Sequence, residues 1–245
     1  MLQLLPIADA KQTRQRGGNY FTDAQGVRLA SVTTILNATK SQADREALAR
    51  WRSRVGFAQA NRISRAASIR GSQTHKQIKH HLLEQAIPCP EAVQPYWHSV
   101  EPVLQEINDV KLIESPVLHY QLGYAGKVDC VASYRGVPCV CDWKTADQPK
   151  QSVERLYDGP VQLAAYCGAF NHYYEHHGIK LRHALLVVAI AHQPAEIFWF
   201  EPETVMTYWQ QWLERVMTFN RFIGTGPTTH ALKQNIAQVE GDLSI

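Results

Sequence analysis

The sequence predicts a mixed α/β sandwich, and two observations carry that expectation. Three β-like runs follow one another at 111–120, 125–134 and 137–145, rich in Val, Tyr and Cys with turns between them. Helical segments precede this meander, and a helix, two strands and a further helix follow it. The chain has 245 residues, 45% of them hydrophobic, enough to bury one sizeable core, so one domain is expected.

In order along the chain, residues 1–30 read as irregular, with Gly17-Gly18 and Gly26 as turn signals. Ser31-Val-Thr-Thr-Ile-Leu reads as a helix entry, a hydroxyl residue before an apolar turn. Residues 42–86 read as two or three helices, broken near Gly56 and Gly71, and 91–108 as another. After the meander, Pro160 suits the first position of a helix that runs to about His177, where Gly178 stops it. Strands are expected at 181–191 and 197–201, and a helix at 202–222. The expected organisation is a helical region with a basic face (31–110), a catalytic α/β core (111–222) and a loose tail (223–245).

Charge and cysteine usage exclude several classes. The formal net charge is only +3, so an anionic partner must be sought in local clusters. One stands out: 45–70 holds Arg45, Arg50, Arg52, Arg54, Arg62, Arg65 and Arg70 against the single acid Glu46. Five cysteines, an odd count without a CxxC pair, argue against a secreted disulfide framework and a zinc knuckle. The apolar run 184–191 is far too short to span a bilayer, and the first sixteen residues lack a long apolar stretch. A soluble intracellular protein with no membrane association is expected.

The chemistry concentrates on two strands, GKVDCVASY and PCVCDWKT. A two-residue turn at Arg135-Gly136 pairs Tyr134 with Val137, and counting back sets Asp129 across from Asp142. Period-two alternation places Asp142 and Lys144 on one face and Trp143 on the other. Facing carboxylates repel, and a divalent cation between them removes the repulsion. Two carboxylates with water and phosphate oxygens suit Mg²⁺ or Mn²⁺. The same register opposes Cys130 to Cys141 and Lys127 to Lys144. Either the ladder ends or bulges near Gly126, or Lys127 points at substrate.

These stretches resemble the RecB-like branch of the PD-(D/E)xK nuclease superfamily. Gly126-Lys-Val-Asp129 and Cys141-Asp142-Trp-Lys144-Thr145 match its central motifs. Arg70-Gly71-Ser-Gln-Thr-His75 resembles its upstream G-x-x-x-H motif, Glu114 occupies the place of its strand acid, and Gln162-Leu-Ala-Ala-Tyr166 matches its Q-x-x-x-Y helix. Ser31-Val-Thr-Thr-Ile-Leu, DCVASYRGVPCVCDWKTADQPK and LYDGPVQLAAYCGAFNHYY are similar to the mitochondrial genome maintenance exonuclease type. Together they cover about half the chain between residues 31 and 200. The cysteine cluster of Cas4-like relatives is missing, so no iron–sulfur centre is implied.

The resemblance implies a restriction-endonuclease-like mixed-sheet core with an N-terminal helical elaboration. It implies an exonuclease on single-stranded DNA that uses Mg²⁺ or Mn²⁺. His75, Asp129, Asp142 and the Trp143 carbonyl would hold the metal, and Lys144 would activate water and offset transition-state charge. Glu114, Gln162 and Tyr166 would support the site. Ser31, Thr33, Arg62, Arg65, Arg70 and Thr145 would contact DNA, with the arginines guiding a single strand inward. An endonuclease of the same chemistry and a non-catalytic DNA-binding module are the alternatives. The lack of an obvious transit segment favours a bacterial or phage source over a mitochondrial one.

Overall fold

The computed structural model describes residues 2–15, 17–223 and 229–239. Three strands open the chain: β1 (Ala10–Gln15), β2 (Gly18–Asp23) and β3 (Arg28–Ser31). From Ala10 onward most of the expected irregular segment is therefore sheet, while residues 2–9 stay irregular as expected. Five of the six residues of β1 are exposed, so no apolar alternation marks it; backbone pairing with β2 builds it.

Four helices follow: α1 (Val32–Ala38), α2 (Gln42–Val55), α3 (Phe57–Leu82) and α4 (Gln94–Leu104). Gly56, at φ 85°, separates α2 from α3 as expected. Gly71 does not break α3. A methyl group there would approach only Thr145, at 3.8 Å, and the helix runs through to Leu82. Arg62, Arg65 and Arg70 thus share with His75 one helix about 39 Å long, while the arginines of α2 lie beyond Gly56. Between residues 42 and 73 only Ala60 is buried, so α2 and the first half of α3 form an arm standing off the body.

The meander is β4 (Ile107–His119), β5 (Tyr124–Tyr134) and β6 (Val137–Ala146). Then come α5 (Gly159–Tyr173), β7 (His183–Ile190), β8 (Gln193–Phe200) and α6 (Pro202–Ile223). Pro160 stands in the first turn of α5, and Gly178 takes the left-handed conformation after a short 3₁₀ turn. Part of the expected loose tail is a helix, α7 (Thr229–Val239), whose Leu232, Ile236 and Val239 are buried. The flanking 224–228 and 240–245 lie outside the described residues.

The eight strands form one mixed sheet in the order β1-β2-β3-β5-β6-β7-β8, with β4 pairing β5. Parallel pairing joins β3 to β5 and β6 to β7. One face packs on α5 and α6 through Tyr166, Phe170, Trp209 and Trp212. The other packs on α3 and α4 through Ile78, Trp97 and Val100, and includes Cys130, Cys139 and Cys141. All five cysteines are free thiols.

Candidate active site

The Arg135-Gly136 turn fixes the central register. Both residues have positive φ, 51° and 82°, which suits a two-residue hairpin turn. Tyr134 pairs with Val137 and Cys130 with Cys141, as the sequence predicts. The ladder ends there. Asp129 does not reach a pairing position opposite Asp142. Instead its Oδ2 accepts the Trp143 N–H at 2.9 Å. The strands splay, and Lys127 is freed from opposing Lys144. Its ammonium pairs with Glu114, and its backbone lies beside Pro116 of β4.

A second distortion accompanies the splay. Ile113 pairs with Cys130 and Ser115 with Val128, so Glu114 falls opposite Asp129. Glu114 has φ 48°, a conformation costly for a residue with a side chain and often tied to function. Both strands change face here. Val131 and Val128, three residues apart, belong to one core layer while Cys130 belongs to the other. Perfect alternation forbids that, and the bend turns Glu114 and Asp129 toward α3.

There they meet His75, and one ligand atom from each of the three lies within 4.8 Å of the others. The imidazole Nδ1 is 3.4 Å from Asp129 Oδ1 and 3.5 Å from Glu114 Oε1. Its Nε2 is 2.6 Å from the Trp143 carbonyl oxygen. Burial disfavours the charged ring, but hydrogen bonds with Asp129 and Glu114 outweigh it and raise the His75 pKa to about 10. For Glu114, burial pushes upward, while the hydrogen bonds of His75 and Lys127 prevail and lower it to about 2. Protonated His75 thus fills the role of a cation among the acids, donating toward the Trp143 carbonyl on one side and the carboxylates on the other.

Asp142 and Lys144 stand on the opposite face of β6 from Trp143, as alternation predicts. Asp142 is buried, and the Lys144 ammonium lies 2.6 Å from its Oδ2. The ammonium is the counter-ion of this carboxylate, held to it by charge and by hydrogen bonding. Burial, with the nearby Asp129 charge adding to it and Lys144 opposing it, raises the Asp142 pKa to about 6. Asp142 feels the charges of Asp129 and His75 but is not one of the three clustered residues.

The remaining predicted residues divide. Tyr166 is buried; a methyl group on Gly126 would come within 2.3 Å of its ring, so the glycine admits it. Gln162 Nε2 donates to the Tyr166 hydroxyl at 2.7 Å. Burial raises the Tyr166 pKa strongly, with Asp142 and Asp129 adding to it. Ser31 caps α1, its hydroxyl accepting the Thr34 N–H at 3.1 Å, and exposed Thr33 lies 3.1 Å from that hydroxyl. Arg70 reaches Thr145 Oγ1 at 3.3 Å and Asp147 at 2.6 Å, docking α3 on the end of β6. Arg62 and Arg65 are exposed on the arm.

Sequence reasoning assigned Glu114 a supporting place; the structure puts it with His75 and Asp129. The signal was the β4–β5 register, hidden by the bend. Lys76 and Lys79, which line a cavity with His75, Glu114 and Asp129, were not singled out.

The sequence pattern of the PD-(D/E)XK nuclease superfamily matches residues 30–231. Mitochondrial genome maintenance exonuclease 1 of Mus musculus is 35% identical over 222 residues, covering 82% of this chain and 64% of that protein. The protein of that name from Xenopus tropicalis is 35% identical over 204 residues, covering 79% and 58%. The Homo sapiens protein is 31% identical over 206 residues, covering 77% and 57%. The chain spans less than two thirds of the length of these homologues. The match across most of the chain, on the mixed sheet and acidic centre already described, places this protein in the PD-(D/E)XK nuclease superfamily.

Proposed function

We propose that this protein is a divalent-metal-dependent deoxyribonuclease acting as an exonuclease on single-stranded DNA with a free end. The observation that carries the reading is the convergence of His75, Glu114 and Asp129 beside the Asp142–Lys144 pair. The donor set fits a cation: a ring nitrogen of His75 and one oxygen each of Glu114 and Asp129 lie within 4.8 Å of one another, and the Trp143 carbonyl meets the other ring nitrogen. Oxygen donors suit Mg²⁺, and the imidazole makes Mn²⁺ more welcome. When bound, such an ion lowers the pKa of water and offsets phosphate charge.

The chain's own groups supply the rest. Lys144, with its side chain 39% exposed beside Asp142, is placed to orient a water and to stabilise negative charge on the transferring phosphate. Asp142 holds that ammonium in position. Tyr166, fixed by Gln162, packs behind β5 and keeps water off this side of the acids. The homologues carry the word exonuclease in their names, which supports an end-dependent reaction. The same names say mitochondrial of those proteins and lend no support to a bacterial or phage source. Among the described residues no helix is long and apolar enough to cross a membrane.

The test compares end-labelled linear single-stranded DNA with a closed single-stranded circle, with Mg²⁺, Mn²⁺ or EDTA. Shortening of the linear strand, sparing of the circle and arrest by EDTA are expected. Cutting of the circle would establish the endonuclease alternative. Binding without cleavage under every metal would leave the DNA-binding module.

A further inference from the structure

A cavity of about 550 Å³ opens beside the acidic cluster, between α3 and the bent strands β4 and β5. One part of its lining is the ligand set itself: His75, Glu114 and Asp129. The rest is cationic, with Lys76 and Lys79 from α3 and Lys127 from β5. The offsets on the two walls agree. Lys79 follows His75 by one helical turn, a rise of ~5.4–6 Å. Lys127 precedes Asp129 by two strand residues, ~6.6 Å. On each wall the backbone of the cation-bearing residue therefore stands one structural period from that of the clustered residue.

The three ammonium groups are not equivalent. Lys127 is engaged by Glu114. Lys76 and Lys79 have no carboxylate within ion-pair distance among the described residues, although two acids line the same cavity. Lys76 is exposed and Lys79 half-buried. Lys79 lies in the last turn of α3, where the helix terminus favours a cation, and that alone would account for one lysine. It does not account for Lys76 a turn earlier, facing the same space.

The geometry points to a second phosphate subsite: Lys76 and Lys79 hold the backbone phosphate adjacent to the one at the His75–Glu114–Asp129 cluster. This rests on the proposed action on a DNA strand and deepens it, because it gives the substrate a minimum length. A single phosphodiester fills only the acidic cluster, whereas a strand with a flanking phosphate engages both. Lys127, held by Glu114, limits that cavity on its sheet side.

The test is equilibrium binding of a fluorescein-labelled oligothymidylate in EDTA, where no cleavage occurs, measured against salt. On a single strand, each phosphate that the protein ceases to neutralise lowers the slope of log affinity against log salt by ~0.7. Lys76→Gln with Lys79→Gln, which keeps the side-chain length, is expected to lower the slope by about that amount relative to the parent. Lys76→Arg with Lys79→Arg is expected to retain the parent slope. An unchanged slope in the glutamine variant, with the parent binding normally, would overturn the subsite and leave the proposed function standing. Equal loss in the arginine and glutamine variants would also overturn it, because the cause would then be packing rather than charge. A parent protein that binds no single strand would overturn the proposed function, and the subsite with it.

Discussion

At the scale of single residues, the centre is a balance between burial and compensation. Asp142 is buried, and Lys144 is its counter-ion. Removing the ammonium leaves an uncompensated buried carboxylate, so Lys144→Ala is expected to act on chemistry and on the protonation of Asp142 together. Cleavage should fall at least ~100-fold, as for loss of a group that stabilises transition-state charge. Single-strand binding in EDTA should survive, because the arm and the cavity lysines are untouched. Gel-based cleavage rates beside anisotropy measure the two separately, and near-parental turnover would remove Lys144 from the chemistry. His75 gives a pH prediction for the metal-free protein. Its pKa is raised to about 10 in the fold, above an unfolded value near 6.5. Its stabilising contribution is therefore complete below about 6.5 and is lost as pH rises through about 10. Glu114, lowered to about 2, contributes above its ordinary value near 4.5 and loses that contribution as pH falls toward 2. In EDTA the melting temperature of the parent should fall between pH 7 and 10 more than that of His75→Gln, by ~2–4 °C per kcal/mol lost. Parallel melting curves in the two proteins across that range would refute the imidazolium arrangement.

At the scale of elements, the sequence reveals most where a turn or a pattern forces the geometry. The β5–β6 register was legible because Arg135-Gly136 demands a hairpin and because Cys139, Cys141 and Trp143 alternate cleanly with Val140 and Asp142. The bend at Glu114 and Asp129 was not, because it arises from the competition of a side chain with the ladder: Asp129 takes the Trp143 N–H that a regular strand would offer to backbone. β1 was illegible for lack of any buried face, and α7 because only three large apolar residues in eleven make a faint stripe. Gly71 misled because helix propensity alone marks it as a break, whereas α3 passes close to Thr145 and Arg70 docks there. The pairing of α5 with α6 makes a further prediction. A methyl group on Gly168 would come within 2.3 Å of the Trp209 ring, itself buried, so Gly168→Ala must shift a packed helix. A loss of ~1–3 kcal/mol is expected from overpacking, read by urea unfolding. The arm gives another. Neutralising exposed Arg62 and Arg65 with glutamine should weaken single-strand binding at low salt and leave unfolding within about 0.5 kcal/mol, since neither residue is buried. An unchanged affinity would make these arginines ordinary surface charge.

For the whole molecule, the question is how a substrate reaches a centre that lies in a cleft. The acids sit where β5 and β6 part, walled by α3 on one side and by α5 behind. The first half of the helix that carries His75 belongs to the arm, so Arg62, Arg65 and Arg70 are joined to the centre through one continuous helix. A strand guided along that arm must enter the cleft between helix and sheet. A duplex is stiff, with a persistence length near ~150 base pairs, and cannot bend into such a passage cheaply. A single strand is flexible and also exposes base faces to exposed aromatic side chains such as Phe57, at the junction of the arm's two helices. Blunt duplex DNA should therefore be a poor substrate, and a single-stranded tail should rescue it by giving the arm something to hold. Rescue should increase with tail length until the tail spans the arm, and then level off. Arg62→Gln with Arg65→Gln should reduce the benefit of long tails more than that of short ones, because short tails reach the centre without engaging the arm. Rates on labelled blunt and tailed duplexes, under one metal and one salt, measure this directly. Equal rates on blunt duplex and on single strand would defeat threading while leaving the chemistry of the centre intact.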